Sequence, residues 1–292
     1  MSEIPSTAYP FEEPASVGEP RLDAFHRLVA VVDRLRDPES GCPWDLKQRA
    51  ETLTASLVEE AFEVVEAIEE RAEAGSTEDH VAEEAGDLLM NIVLIARIEE
   101  QAGRFSLADL AGDVADKLIR RHPHVFADGA AGSDEDVLVN WEAIKKQERE
   151  DAQVDASAVA GVPAALPALQ RAYRVSGKAM SAGFRWENSA GQLAKITEEL
   201  DEVKEAFGPG PEHDPERKAE LEDELGDLLL ASAFFGRYNK IDPEAALRKS
   251  LRKFEARFRE VEGAFGGDLT GRSLEEMMAA WELAKVKLAS KG

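Results

Sequence analysis

The feature that most restricts the fold of this 292-residue chain is that it carries the same landmarks twice. Val58-Glu59-Glu60-Ala61-Phe62-Glu63 is echoed by Thr197-Glu198-Glu199-Leu200-Asp201-Glu202, and Glu83-Glu84-Ala85-Gly86-Asp87-Leu88-Leu89 by Asp223-Glu224-Leu225-Gly226-Asp227-Leu228-Leu229. Lys117 and Arg121 return as Lys253 and Arg257, and Trp141 with Lys145 returns as Trp281 with Lys285. The partners are all roughly 140 residues apart, so the chain reads as a tandem duplication built from two copies of one unit. The boundary falls where Ala, Val, Gly and Pro replace the charged pattern. This gives a first domain over 21–150, a linker over 151–165 and a second domain over 166–292. Residues 1–20, with Pro5, Pro10, Pro14 and Pro20 and no periodic apolar pattern, read as a flexible tail.

The periodicity of each copy is helical, and alternating runs of the β type are absent. Leu53, Leu57, Ala61, Val64, Val65 and Ile68 mark one face of a helix; Val81, Ala85, Leu88, Leu89, Ile92, Val93 and Ile95 mark one face of the next. Ala74-Gly75-Ser76-Thr77 breaks between them, with Thr77 as N-cap for the acidic start Glu78-Asp79. So short a loop predicts an antiparallel pair. With about four helices per half, the fold class is all-α, two tandem helical bundles.

Charge narrows the function. Lys and Arg total 35 against 59 Asp and Glu, a formal net charge of −24, which repels nucleic-acid backbones and anionic membrane surfaces. It suits metal cations, or an anion that arrives carrying one. Apolar residues at 43% suffice for a core, and the single cysteine, Cys42, excludes an intramolecular disulfide framework or a cysteine-only metal site. No apolar run approaches the ~18 residues of a membrane span and no signal-peptide pattern opens the chain, so the expected location is the cytoplasm.

The acids are arranged as well as numerous. In the first half Glu60 with Glu63, and Glu84 with Asp87, stand at i, i+3 on consecutive helices, so each pair shares a face. At roughly 100° per residue Glu60 falls about 40° from Val64, at the edge of the apolar stripe, where an unpartnered carboxylate is costly. Antiparallel packing would bring four carboxylates to one point, and these would repel unless a divalent cation neutralised them. Oxygen-only ligands select hard cations, Mg²⁺ or Mn²⁺. A di-iron bundle with Glu-x-x-His pairs does not fit, because His26, His80, His122, His124 and His213 miss the matching positions. One such acidic string in so acidic a chain is more often a solvated helix face; two strings per half, both present twice, favour a site. Lys117 with Arg121 and Trp141 with Lys145, each four apart, would add cationic donors for an anion and an aromatic face for a base. Taken singly, they read as surface charges and core anchors.

These residues resemble the MazG nucleotide pyrophosphohydrolases of the all-α NTP pyrophosphatase superfamily, and the tandem layout looks like that of full-length bacterial MazG. The resemblance rests on Gly41-Cys42-Pro43-Trp44-Asp45, the Glu-Glu-x-x-Glu and Glu-Glu-x-Gly-Asp strings, Arg121-His122-Pro123-His124-Val125-Phe126 and Arg252-Lys253-Phe254-Glu255-Ala256-Arg257-Phe258. It implies Mg²⁺-dependent hydrolysis of nucleoside triphosphates, several bases being accepted, to monophosphate and pyrophosphate by homodimers built on four-helix bundles. It further implies metal ligation by Glu199, Glu202, Glu224 and Asp227, phosphate binding by Lys195, Lys253, Arg257 and Lys285, and a nucleotide pocket lined by Trp281. By the same motif the first-half set is Glu60, Glu63, Glu84, Asp87, Lys117, Arg121, Trp141 and Lys145. Glu198 or Glu199 is the expected acceptor of the proton from the attacking water.

The sequence departs from the family in three places. After Trp44-Asp45 the usual Gln-Thr-His-x-Ser-Leu string is replaced, Gln48 being followed by Arg49-Ala50-Glu51-Thr52-Leu53. The tyrosine before the first Glu-Glu is missing, with Ser56 nearby, and Asp223 stands for the first Glu of the fourth string. The metal positions are intact in both halves, and the changes near the first site favour the second half as the working one. Two other readings remain: a non-catalytic helical scaffold that binds a nucleotide or a protein, and a pyrophosphatase narrowed to dUTP or a phosphoribosyl nucleotide.

Overall fold

The computed structural model describes residues 13–74, 80–127, 157–208 and 214–289, together with the single positions 133, 137, 144, 148 and 155. Every regular element among the described residues is helical. The chain divides into two compact units, Met1–Ile144 and Lys145–Gly292. The first twelve residues of the tail, the N-cap expected at Thr77, and the expected site residues Trp141 and Lys145 lie outside the described residues.

The first unit comprises α1 (Pro20–Leu35), two 3₁₀ turns (Asp45–Lys47 and Ala50–Leu53), α2 (Thr54–Ala74), α3 (His80–Gln101), α4 (Leu107–Arg121) and the single turn α5 (Pro123–Phe126). Pro20 opens α1, where its missing N–H leaves no bond unmade, and the Glu19 side chain caps it by accepting from the Arg21 amide. Ser106 and Asp109 form a reciprocal capping box at the start of α4. That helix stops at Arg121 because Pro123 disfavours the helical conformation at His122. The core joins Val32 of α1, Leu53, and Val93, Leu94 and Ile98 of α3, so α3 is the central helix. Leu53 belongs to the 3₁₀ turn ahead of α2 rather than to α2 itself, yet it is buried as its apolar phase requires.

Between α1 and α2 the chain is held by one buried cation. Arg36 donates from Nε to Gln101 Oε1 at 2.8 Å, and from its terminal nitrogen to the Asp45 and Gln48 carbonyls. Gln101 donates back to the Arg36 carbonyl at 3.0 Å. Gly41 passes so close to the preceding backbone that a Cβ there would lie 2.6 Å from the Asp37 carbonyl oxygen. This pinned loop leaves the Trp44 side chain exposed.

The second unit comprises α6 (Ala168–Ser181), α7 (Ser189–Phe207), α8 (Pro215–Tyr238), α9 (Pro243–Ala264) and α10 (Leu274–Ala289). Asn188, Asp214 and Asp242 cap α7, α8 and α9 through their side chains, with Pro215 and Pro243 in the first turns of the latter two. Here α8 is central: it packs along α7 and α6, while α9 packs on α10. Trp186 closes the start of α7, its ring edge 3.0 Å from where a Cβ on Gly191 would be, and meets Phe234 of α8 edge-on.

Candidate metal centres

Packing α2 on α3 and α7 on α8 brings the paired acids face to face. Glu60 of α2 with Glu84 and Asp87 of α3, and Glu199 of α7 with Glu224 and Asp227 of α8, each offer carboxylate oxygens within 4.8 Å of one another. The i, i+3 spacing puts Glu84 with Asp87, and Glu224 with Asp227, on one face of each second helix. The remaining acids, Glu63 and Glu202, stand one turn along the first helices. Each perturbs the first acid of its set, Glu63 acting on Glu60 and Glu202 on Glu199.

The electrostatics differ between the halves. In the first, burial above all, then the Glu63 charge and the hydrogen bond to it, raises the Glu60 pKa; Asp87 and Glu84 add to this. Burial and the charges of Glu63, Glu83 and Asp87 likewise raise Glu84, with His80 opposing. In the second, Lys195 lies 2.7 Å from Glu199 Oε1 and its hydrogen bond holds the Glu199 pKa down against burial. The bond to Glu199, with burial and the charges of Glu199 and Glu224, pushes Glu202 up.

A hard divalent cation fits these sets. Glu199 is 4% exposed, and its Oε2 is buried with no hydrogen-bond partner. A buried carboxylate oxygen without a donor is costly unless a cation satisfies it. The neighbouring donors are all oxygens, which suits Mg²⁺ or Mn²⁺ rather than a softer metal.

The expected phosphate ligands fall into two groups. Lys195 sits at the acidic cluster, bridging Glu199 and Glu198, the latter at 2.8 Å. Lys253 and Arg257 belong to α9, and Trp281 and Lys285 to α10, where Arg257, Phe254 and Trp281 come together. The Arg257 guanidinium lies 5.8 Å from the centre of the Trp281 ring, Trp281 meets Phe254 at 5.1 Å, and Lys285 pairs with Glu282 at 2.6 Å. In the first half Lys117 and Arg121 lie on α4. Two residues had no functional reading from sequence: Arg36, whose partner Gln101 is remote in the chain, and Gln192. Gln192, seven residues before Glu199 on the same helix face, is buried with neither amide atom hydrogen-bonded. A polar residue at an apolar phase was the only signal for it.

An all-α protein of two tandem units, each bringing Glu-x-x-Glu of one helix against Glu-x-x-Asp of the next, is of the helical-bundle class with carboxylate clusters that could hold a metal ion. The chain matches the MazG nucleotide pyrophosphohydrolase domain twice, over residues 48–126 and 188–261, and belongs to that family. It is 40% identical to the nucleoside triphosphate pyrophosphohydrolase of Escherichia coli (strain K12), over 90% of this chain and 98% of that protein. It is 39% identical to the nucleoside triphosphate pyrophosphohydrolase/pyrophosphatase MazG of Thermotoga maritima, over 89% of this chain and 95% of that protein.

Proposed function

We propose that the chain hydrolyses nucleoside triphosphates to the monophosphate and pyrophosphate with Mg²⁺, accepting several bases, and clears unwanted nucleotides from the cytoplasmic pool. The activity is that of the E. coli and T. maritima relatives by name. The observation that carries it is the Glu199, Glu224 and Asp227 cluster, together with the Oε2 of Glu199, which is buried without a hydrogen-bond partner.

Glu199, Glu202, Glu224 and Asp227 would hold the ion. Bound there, a divalent cation neutralises triphosphate charge as it shifts toward the leaving pyrophosphate. Lys195, Lys253, Arg257 and Lys285 hold phosphate oxygens, and Trp281 offers a stacking face that any base can use. Glu198 stands outside the ligand set, exposed, with one oxygen on Lys195. Glu198 takes the proton of the attacking water, with Glu199 orienting that water. In the first half Glu60, Glu63, Glu84, Asp87, Lys117, Arg121, Trp141 and Lys145 take the corresponding roles, with the second half as the main working site. The working form is a homodimer: Leu200, Leu225, Leu229 and Leu230 of α7 and α8 are exposed in the single chain, and a second copy would cover them.

Phosphorus NMR with Mg²⁺ and each common nucleoside triphosphate tests the reaction. Pyrophosphate and monophosphate are expected, with turnover falling at least a hundredfold in Glu199→Gln and Glu202→Gln. Orthophosphate with diphosphate would overturn the reading, and near-wild-type rates in both variants would overturn the site. Sedimentation at micromolar concentration should give twice the chain mass.

A further inference from the structure

The two acidic clusters differ in their charged neighbours: Lys195 stands beside Glu199 in the second, and His80 beside Glu84 in the first. In the second half Lys195 Nζ lies 2.7 Å from Glu199 Oε1 and 2.8 Å from Glu198 Oε1, so a fixed positive charge already sits on a ligand oxygen. The Lys195 side chain is 36% exposed against 6% for that of Glu199, so the ammonium can leave the cluster toward solvent while the carboxylate stays. Four residues before Glu60, where the first half would need the same lysine, stands Ser56. The charges that bear on Glu60 are those of Glu63, Asp87 and Glu84, all negative.

A bare divalent cation therefore meets different tasks in the two halves. In the first, it enters a set of carboxylates that repel one another, and every oxygen it takes relieves that repulsion. In the second, it must first displace the ammonium from Glu199 Oε1. A metal–polyphosphate complex meets no such obstacle, because it supplies a cation for Glu199 and an anion for the released Lys195 at once. We propose that Lys195 is a built-in counter-ion that occupies the second cluster until metal and polyphosphate arrive together, so that the first half is the tighter site for the free ion and the second is loaded by the nucleotide complex. This rests on the metal reading of both clusters given above, and it assigns to Lys195 a loading role that phosphate binding alone does not include.

The test is nucleotide-free binding of Mn²⁺ to the full chain, read from the electron paramagnetic resonance of the free ion. The wild type should show two classes of site separated on the order of tenfold, a modest gap because Lys195 is partly solvated. Glu60→Gln should remove the tight class. Lys195→Met should tighten the weak class toward the strong one, Ser56→Lys should weaken the tight class by a similar factor, and Lys195→Arg should behave as the wild type. The charge-retaining arginine separates a charge effect from a folding defect. A weak class unmoved by Lys195→Met, or a tight class that survives Glu60→Gln and disappears in Glu199→Gln, would overturn the proposal while leaving the metal reading intact. Absence of Mn²⁺ binding in every variant, Lys195→Met included, would overturn both.

Discussion

Replacing Arg36 by Met tests how the loop between α1 and α2 is held. The guanidinium is buried, 7% exposed, and bonds Gln101 and the Asp45 and Gln48 carbonyls. Burial lowers the Arg36 pKa and the Asp45 charge only partly opposes this, so the group depends on those acceptors. Methionine keeps most of the apolar stem but leaves three acceptors short of a donor in a part-buried setting. Hydrogen bonds from a charged donor contribute about 1.5–3 kcal/mol each, and truncating one member of a buried charged network costs about 3–5 kcal/mol in all. For a unit of this size, a kilocalorie per mole corresponds to about 2–4 °C, so its melting transition should fall by roughly 10 °C. Scanning calorimetry of the full chain reads this directly, and the transition of the second unit, which contains no part of the network, serves as the internal reference. Arg36→Lys, able to reach only part of the acceptor set, should fall between the two. A shift below about 2 °C for Arg36→Met would mean that the loop is fixed by its backbone turns alone, and the assignment of Arg36 as its clamp would be wrong.

Three other perturbations are decided by similar local geometry. Gln192→Leu copies the buried Leu53 that stands seven residues before Glu60, and it removes two unsatisfied amide atoms; the second unit should gain about 1–3 kcal/mol, visible as a raised melting transition, and a loss would show that the amide has a partner such as buried water. Gly236→Ala would place a Cβ 2.8 Å from the Ile241 backbone oxygen, against backbone that cannot swing aside, and should cost the second unit about 1–3 kcal/mol in denaturant unfolding; an unchanged midpoint would refute the close approach. The raised pKa values of Glu60 and Glu84 mean that their contribution to stability is present below the ordinary carboxylate range and is lost as pH rises through the raised values. In chelator the first unit should therefore melt lower at about pH 7.5 than at about pH 5, and Mg²⁺ should restore it at the higher pH; a pH-independent transition in chelator would contradict this.

How much the sequence disclosed depended on whether a feature was local. The duplication, the helical phase and the i, i+3 acids are short-range patterns, and they brought Glu84 with Asp87 and Glu224 with Asp227 to the right faces without any tertiary information. Lys195 was visible but ambiguous: a lysine four before a glutamate suits an intrahelical ion pair as well as a phosphate contact, and only the packed helix shows it on Glu199. The Arg36 clamp was illegible because it joins residues on α1 and at the end of α3, a pairing no periodicity encodes. The aromatic group of Phe254, Phe258 and Trp281 was half legible, since the string on α9 was seen but its closure by α10 was not.

Two of the differences between the copies stand close to the ligand acids. Gln192 against Leu53 and Lys195 against Ser56 both fall on the N-terminal side of the first ligand glutamate, on the same run of chain that enters the metal helix. The opposing helices keep Glu-x-x-Asp in both halves, with Asp223 for Glu83 as the change at the head of the string. The oxygen set is thus shared, while neighbours such as Lys195 and Ser56 differ. A duplication that had simply lost one site would be expected to lose ligands, because acids that repel one another are unfavourable once no cation is required there. The first cluster keeps all of its acids while lacking the lysine, so their mutual repulsion has no counterpart of that ammonium to offset it. Retention of the acids without Lys195's counterpart therefore fits the proposal that the first half, too, takes up a metal ion.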